Sequence, residues 1–150
     1  MAELSYSEIL EALDVPMQDV DLYSPLALAY IGDAVYDLIM RSYVFGQGPA
    51  HTDRMHREAS GMVRAHAQAR VLKALKPHLT DEEKDIARRG RNAKSSTMAK
   101  NATPADYRRA TGLEALCGYL YLTGRISRLL ELMKIGLEET GLNEAGRTKQ

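Results

Sequence analysis

The sequence predicts an all-α protein. Apolar residues recur three and four positions apart through much of the chain, which is the spacing that places them on one face of a helix. Most of these stretches follow a helix-capping residue and end at a glycine or proline, and no useful stretch alternates as a strand does. A chain of 150 residues with 45% hydrophobic content can form one domain with a core.

Capping residues predict where the first two helices begin. Ser5-Tyr6-Ser7-Glu8 has the form of a capping box and begins a short helix that ends before Pro16. Ser24-Pro25 begins the second helix, because proline is favoured at the first helical position, and the Gly-Gln-Gly-Pro segment at residues 46–49 ends it. The apolar positions of this second helix include Leu28, Ile31, Val35, Leu38 and Ile39.

The middle of the chain predicts one long and one shorter helix. Residues 52–75 carry a continuous helical pattern with no internal proline, and Pro77 closes it. Thr80-Asp81-Glu82-Glu83 is a second capping box, and the helix that it begins is predicted to end near Gly90. Residues 91–102 have little apolar content and are predicted to form a loop.

Two more helices are predicted in the last third of the chain. Thr103-Pro104 caps a fifth helix, and Gly124 ends it. A final helix is predicted over residues 125–139, followed by a polar tail at 143–150.

The composition argues against several classes of protein. The formal net charge is zero at pH 7, which is unlike a general polyanion binder. The single cysteine, Cys117, excludes an intrachain disulfide, and we expect it to be a small core residue rather than a nucleophile. Residues 1–6 lack the features of a signal peptide, and the longest apolar stretch, residues 26–31, is too short to span a bilayer. We therefore expect a cytoplasmic protein.

Positive charge is concentrated in residues 84–100. Asp85 is the only acidic residue in this segment, whereas residues 3–21 are rich in acids. A basic patch on a neutral protein is compatible with an oriented contact with an anion such as a nucleic-acid backbone, but taken alone it is more typical of a solvated surface helix and loop. The basic residues of the segment are Lys84, Arg88, Arg89, Arg91, Lys94 and Lys100.

Two segments place an acidic residue among small and apolar residues. Asp33 lies in Tyr30-Ile31-Gly32-Asp33-Ala34-Val35-Tyr36, and Glu114 lies in the apolar helix at 111–122. A carboxylate near a helical core is costly unless it is paired or binds a metal, so these acids are candidates for one cation site. Gly32 is unfavourable inside a helix and indicates that a partner helix or a ligand comes close to the backbone. Viewed alone, each acid is more typical of an exposed position on a helix.

Three further residues extend this pattern. Gly112 and Gly118 flank Glu114 and allow neighbouring backbones to come close. Asp37 follows Asp33 by four positions and so shares its helix face.

Together the two segments resemble the ribonuclease III family. The first is similar to the family's signature helix, and residues 112–122, Gly-Leu-Glu-Ala-Leu-Cys-Gly-Tyr-Leu-Tyr-Leu, are similar to the helix that supplies its other main metal ligand. Residues 89–94, Arg-Gly-Arg-Asn-Ala-Lys, extend the resemblance to the short Mini-ribonuclease III branch. Ala29 and Thr111 stand where longer members carry two further acids. The resemblance runs from about residue 24 to 139.

The resemblance implies a ribonuclease III endonuclease-domain-like helical bundle. Residues 1–150 would form a single catalytic domain with its core at about 24–139 and no double-stranded-RNA-binding domain. The implied activity is magnesium-dependent hydrolysis of phosphodiester bonds in double-stranded RNA, with Mn²⁺ able to substitute for Mg²⁺. Asp33 and Glu114 would be the catalytic metal ligands, and Asp37 is a candidate outer ligand. The implied role is maturation of both ends of the 23S ribosomal RNA precursor, with a ribosomal protein as a candidate partner that presents the substrate.

The resemblance also implies two surfaces. The RNA-binding residues would be Arg88, Arg89, Arg91, Asn92 and Lys94. The chain would form a homodimer through its signature helix, with Tyr30, Ile31, Val35 and Tyr36 at the interface.

Two other functions remain open at this point. A non-catalytic RNA-binding or ribosome-assembly module is the main alternative, and a helical adaptor that binds only protein is a weaker one. Asp33 and Glu114 favour the enzyme, because a pure binder has no need for carboxylates facing RNA. The arginine-rich segment argues against the adaptor.

Overall fold

The computed structural model of the protein describes residues 3–94 and 102–144, and this part of the chain contains no strand and no helix long and apolar enough to cross a membrane. The prediction of an all-α protein is confirmed. The α-helices are α1 (Tyr6–Ala12), α2 (Pro25–Gly46), α3 (Thr52–Val63), α4 (Ala65–Leu75), α5 (Asp81–Asn92), α6 (Pro104–Leu122) and α7 (Ile126–Thr140). Two 3-10 helices span Val20–Leu22 and Lys76–His78. Lys100, most of the predicted loop and most of the polar tail lie outside the described residues.

Four helices begin at the capping residues that the sequence predicts. Ser5, Ser24 and Thr103 each accept a hydrogen bond from the backbone N–H three residues further on, at 3.3, 3.2 and 3.1 Å. At the start of α5, Thr80 and Glu83 form a complete capping box, in which each side chain accepts from the other residue's backbone N–H. These helix starts are local, because the capping side chain satisfies a backbone donor that the helix itself leaves unpaired.

The prediction of one continuous helix over residues 52–75 is wrong, because the helix breaks at Arg64 into α3 and α4. Arg64 is extended, with φ −66° and ψ 157°. Buried side chains bond the carbonyls that the break releases: the Tyr36 hydroxyl donates to the Met62 carbonyl at 3.0 Å. Similarly, Nε2 of Gln68 donates to the Val63 carbonyl at 2.7 Å. The helical pattern does not reveal the break, because one of the two donors comes from α2.

Helix α6 lies at the centre of the fold. Helices α2, α5, α4 and α7 all pack against it, α2 and α5 most extensively. Cys117 of α6 is fully buried in the core, as predicted, and burial raises the pKa of its thiol, which makes it a poor nucleophile. The largest fully buried side chains are Tyr36, Met40, Val71, Leu75, Leu113, Leu116, Leu120, Leu129 and Leu132.

Glycines bring α2 and α6 into backbone contact. A Cβ atom at Gly32 would lie 1.7 Å from the carbonyl oxygen of Glu114. A Cβ atom at Gly118 would lie 2.0 Å from the carbonyl oxygen of Leu28. Because both obstructing atoms belong to helical backbone, neither can move aside without separating the helices. The partner that the sequence predicts for Gly32 is therefore a helix of the same chain.

We expect Gly118→Ala to destabilise the fold by about 3 kcal/mol or more, because overpacking against rigid backbone forces the helices apart. The measurement is the free energy of unfolding from urea denaturation. Gly46→Ala is the matched control, since a Cβ atom there, at the last residue of α2, meets no atom within 4 Å. We expect the control to be neutral or slightly stabilising. Equal effects of the two substitutions would contradict the proposed cause.

Candidate metal centre and nucleic-acid interface

Asp33 on α2 and Glu114 on α6 lie beside each other. The backbone contact between the two helices brings them together, since Gly32 precedes Asp33 and packs against the carbonyl of Glu114 itself. Asp33 is exposed, Glu114 is half-buried, and their carboxyl groups are within hydrogen-bonding reach. The two acids that the sequence analysis identified, which are far apart in the chain, therefore lie close together in the fold.

The carboxyl group of Glu114 holds a proton at neutral pH in the cation-free protein. Burial raises its pKa most, and the hydrogen bond and like charge of Asp33 raise it further, to about 8. The Nε2 atom of Gln68, 3.4 Å from Oε2 of Glu114, opposes this shift. A carboxyl pair that shares a proton is a site at which a cation can replace that proton.

The chemistry of this pair fits a magnesium ion. Mg²⁺ prefers hard oxygen ligands, keeps several of its waters and often uses only one or two protein carboxylates. Within residues 3–94 and 102–144, no three acidic, histidine or cysteine side chains gather into a metal-binding group. Asp33 and Glu114 are thus suited to hold a divalent cation whose other ligands come from water and substrate.

Asp37 lies one turn beyond Asp33 on α2 but has a different partner. Its Oδ2 atom is 2.9 Å from Nε of Arg41, in an ion pair at the protein surface. It does not join the carboxyl pair, so this arrangement does not support the predicted role of Asp37 as an outer ligand.

A pocket of about 820 Å³ opens where the end of α5 meets the start of α6. Arg91, Asn92 and Lys94 line it from α5 and the residues that follow, and Arg108 and Arg109 line it from α6. Three of the five residues predicted to bind RNA therefore share one surface with two arginines from another helix. Four positive charges around one pocket are suited to binding phosphates.

The other two predicted RNA-binding residues lie outside this pocket. Arg88 and Arg89 are exposed on α5, and Arg88 pairs with Asp85 at 2.5 Å. Their contact with RNA therefore stays a prediction.

Close packing positions the last turn of α5. This helix continues to Asn92, past the predicted end near Gly90. A Cβ atom at Gly90 would lie 2.7 Å from that of Ala115 on α6, and one at Gly112 would lie 2.6 Å from the Ala87 carbonyl oxygen. Glycine thus allows α5 to lie directly on α6, which holds the arginine-bearing turn in a defined position.

Sequence reasoning missed Arg108, Arg109 and Gln68. The adjacent arginines lie only a few residues beyond the basic segment 84–100, in the first turns of the next helix, and this proximity was the available signal. For Gln68 the signal was an amide side chain in an otherwise apolar stripe of α4.

The predicted dimer residues differ in exposure. Tyr30 is 83% exposed, whereas Tyr36 is 0% exposed and its hydroxyl donates to the Met62 carbonyl within the same chain. The prediction that Tyr36 lies at an interface is therefore corrected, because its side chain belongs to the core. Ile31 and Val35 are partly buried.

The exposed apolar side chains of α2 form a different set from the one predicted. Together with Tyr30 they are Ala34, Leu38 and Phe45, and Leu38 and Phe45 are 51% and 73% exposed. Their spacing of four, four and seven residues places them on one face of α2.

Comparison with known proteins gives matches along most of the chain. The Ribonuclease III domain family matches residues 26–125, which include Asp33 and Glu114. The Mini-ribonuclease 3 of Brevibacillus brevis is 45% identical over 117 residues, which cover 78% of this chain and 87% of that protein. The Mini-ribonuclease 3 of Clostridium tetani is 42% identical over 131 residues, covering 85% and 87%.

A solved structure gives the same result for the fold. A crystal structure of a protein from Fusobacterium nucleatum matches with a TM-score of 0.74 and 29% identity, covering 81% of this chain and 98% of that one. The sequence matches and the shared helical architecture agree with the resemblance identified from the two acidic segments. The chain therefore belongs to the Mini-ribonuclease 3 branch of the ribonuclease III family.

Proposed function

We propose that the chain is a metal-dependent endoribonuclease that hydrolyses phosphodiester bonds in double-stranded RNA. The carboxyl pair of Asp33 and Glu114 carries this proposal. Helix α6 connects the pair to the basic pocket, because it bears both Glu114 and two of the arginines that line the pocket. The names of the similar proteins support the same activity. A non-catalytic RNA-binding module is the less favoured alternative, because two carboxylates near an RNA site would repel phosphates unless a cation lies between them.

Asp33 and Glu114 would hold the divalent cation, Mg²⁺ or in its place Mn²⁺. When bound, such a cation lowers the pKa of the attacking water and neutralises charge on the leaving oxygen. Glu114 must lose its proton for the cation to bind. The close contact of α2 with α6 keeps the two carboxyl groups together before binding, which reduces the cost of assembling the site.

The site would rely on two carboxylates. Ala29 and Thr111, which stand where longer family members carry further acids, are each only 7% exposed. The Thr111 hydroxyl donates to the Tyr107 carbonyl at 3.0 Å and so bonds within its own helix. Neither residue supplies a further charge, which leaves more of the cation's shell to water and substrate.

The pocket lined by Arg91, Asn92, Lys94, Arg108 and Arg109 would bind the RNA backbone. A-form duplexes are recognised mainly through phosphates and 2′-hydroxyls, by shape rather than sequence. Thr111 also lines this pocket, one turn before Glu114 on α6. A single helix thus links the proposed phosphate contacts to the proposed cation site.

We expect the double variant Arg91→Gln/Arg109→Gln to weaken binding of double-stranded RNA and to lower the slope of log K against log salt by about two, one for each lost phosphate contact. The measurement is a salt titration of RNA binding. Lys73→Gln/Lys134→Gln is the matched control, since these lysines are exposed on α4 and α7 and do not line the pocket. An unchanged slope in the arginine variant would exclude this pocket as the RNA site.

We also propose that the chain acts as a homodimer through α2. The exposed apolar face formed by Tyr30, Ala34, Leu38 and Phe45 supports this, because such faces on soluble proteins commonly bind a partner. Two sites in one dimer would allow each strand of a duplex to be cut. A monomer in sedimentation equilibrium at assay concentrations would contradict the proposal.

The proposed substrate is the stem of the 23S ribosomal RNA precursor in the cytoplasm, with a ribosomal protein as the partner that presents it. This finer role rests on the resemblance to the Mini-ribonuclease III branch. The first test is a cleavage assay with this stem, a long duplex and the matching single strand, each with and without Mg²⁺. Magnesium-dependent cutting of duplexes alone is the expected result, and RNA that is bound but never cut would favour the non-catalytic alternative.

A further inference from the structure

Gln68 on α4 contacts Glu114, one of the two acids of the carboxyl pair. Its side chain is buried, with 3% of the residue exposed, and its Nε2 atom lies 2.7 Å from the Val63 carbonyl oxygen and 3.4 Å from Oε2 of Glu114. Its Oε1 atom is buried and has no hydrogen-bond partner within residues 3–94 and 102–144. Buried amides normally bond at both ends, so an acceptor left over on a side chain that contacts Glu114 indicates a ligand.

The contacts of Gln68 define what that ligand must be. The nitrogen faces two oxygen acceptors, the carbonyl of Val63 and the carboxyl of Glu114, so the free end of the amide is its oxygen. An amide oxygen accepts hydrogen bonds and repels anions. It is therefore suited to an O–H donor, and the waters that a bound Mg²⁺ ion retains are donors of this kind.

The neutral charge of Gln68 also matters. A third carboxylate at this position would place another negative charge beside Glu114, which Gln68 contacts. An amide supplies an oxygen without that charge. The break at Arg64 orients the amide, because it releases the Val63 carbonyl, which accepts a hydrogen bond from the Gln68 nitrogen.

We propose that Gln68 is a positioning residue of the cation site: its Nε2 atom holds Glu114, and its Oε1 atom accepts a hydrogen bond from a water bound to the cation. This inference rests on the proposed function of Asp33 and Glu114 as cation ligands. Outer-shell groups of this kind typically change metal affinity by about 10- to 100-fold when they are removed.

The test is the Kd for Mg²⁺ and for Mn²⁺, measured by calorimetry on the RNA-free protein. Gln68→Met keeps an unbranched side chain of similar length and removes both ends of the amide, and we expect it to weaken both cations about tenfold. Tyr36→Phe is the matched control, because it removes the other hydrogen bond at the same helix break without removing a bond to Glu114. We expect it to lower Tm and leave the Kd unchanged.

Thermal unfolding of the same proteins separates a positioning role from a structural one. If Gln68 only stabilises the helix break, Gln68→Met will lower Tm in the way that Tyr36→Phe does and keep the Kd within about threefold of wild type, which would overturn the inference. Equal weakening of cation binding in both variants would overturn it as well.

A second variant covers the case in which Gln68→Met does not fold. Gln68→Asn keeps an uncharged amide but is shorter by one methylene, so neither end of the amide reaches its partner. We expect the rise in Tm on adding Mn²⁺ to be smaller than that of wild type, and an equal rise would overturn the inference. Asp33→Asn distinguishes failure of the role of Gln68 from failure of the proposed cation site. If Asp33→Asn loses cation binding and Gln68→Met does not, the inference about Gln68 fails and the proposed function stands; if Asp33→Asn binds as wild type does, both fail.

Discussion

We expect Asp33→Asn and Glu114→Gln each to lower the rate of duplex cleavage by about a thousandfold or more, while the protein stays folded. Both substitutions keep the shape of the side chain and remove a carboxylate. A cation in such a site supplies several kcal/mol of transition-state stabilisation, and each 1.36 kcal/mol corresponds to about a tenfold change in rate. The measurement is single-turnover cleavage of a long RNA duplex, with the matching single strand as the substrate control.

Thermal stability distinguishes a lost ligand from a damaged fold. Asp33→Asn removes a charge that opposes ionisation of Glu114, so we expect the Tm of the cation-free protein to be unchanged or higher. Asp37→Asn is the matched control on the same helix, because its carboxylate pairs with Arg41 at the surface. We expect its activity to stay within about tenfold of wild type. A parallel loss of activity and Tm in Asp33→Asn would contradict its assignment as a ligand.

The second large effect is a dependence of cation binding on pH. We expect the affinity for Mg²⁺ to rise about tenfold per pH unit up to about pH 8 and to level off above it, because Glu114 must lose its proton before it can bind the cation. The measurement is calorimetric titration of the RNA-free protein between about pH 6 and 9 at constant ionic strength. An affinity that does not vary with pH in the wild type would contradict the prediction.

The free energy of unfolding of the cation-free protein should fall as the pH rises, whereas the affinity for the cation rises. The folded-state pKa of Glu114, about 8, lies above its ordinary value of 4.5. The stabilisation that its proton provides is therefore fully present below about pH 4.5 and is lost as the pH rises to about 8, at no more than about 1.4 kcal/mol per pH unit. Glu114 is only half-buried, which reduces this effect further. Glu114→Gln, which cannot titrate, should flatten the pH dependence of both stability and cation affinity.

The helix starts and the identity of the two acids followed from the sequence. Ser24, Thr80 and Thr103 cap their helices as predicted, because capping depends on residues within one turn of each other. Gly32 predicted a close neighbour, since an unfavourable residue within a helix needs a compensating contact. These signals are local, and a sequence carries local signals directly.

The resemblance to a known family supplied what spacing alone did not. Asp33 or Glu114, viewed singly, is compatible with a surface residue, and only the two segments together indicated a shared cation site. Which atoms meet depended on the tertiary structure. The contact of Gly32 with the Glu114 backbone determines how close the two carboxyl groups come, and no local pattern encodes that distance.

The tertiary structure also decided the break at Arg64, the burial of Tyr36 and the contact between Gln68 and Glu114. Tyr36 and Gln68 donate to carbonyls that only the break exposes, so the break and the burial of these side chains depend on each other. Arg108 and Arg109 join the pocket because α5 and α6 pack through glycines that bring separate segments together. The sequence alone thus determined the helices, most of their ends and the acids worth testing. Packing between helices decided which side chains surround those acids, because it depends on the positions of residues far apart in the chain.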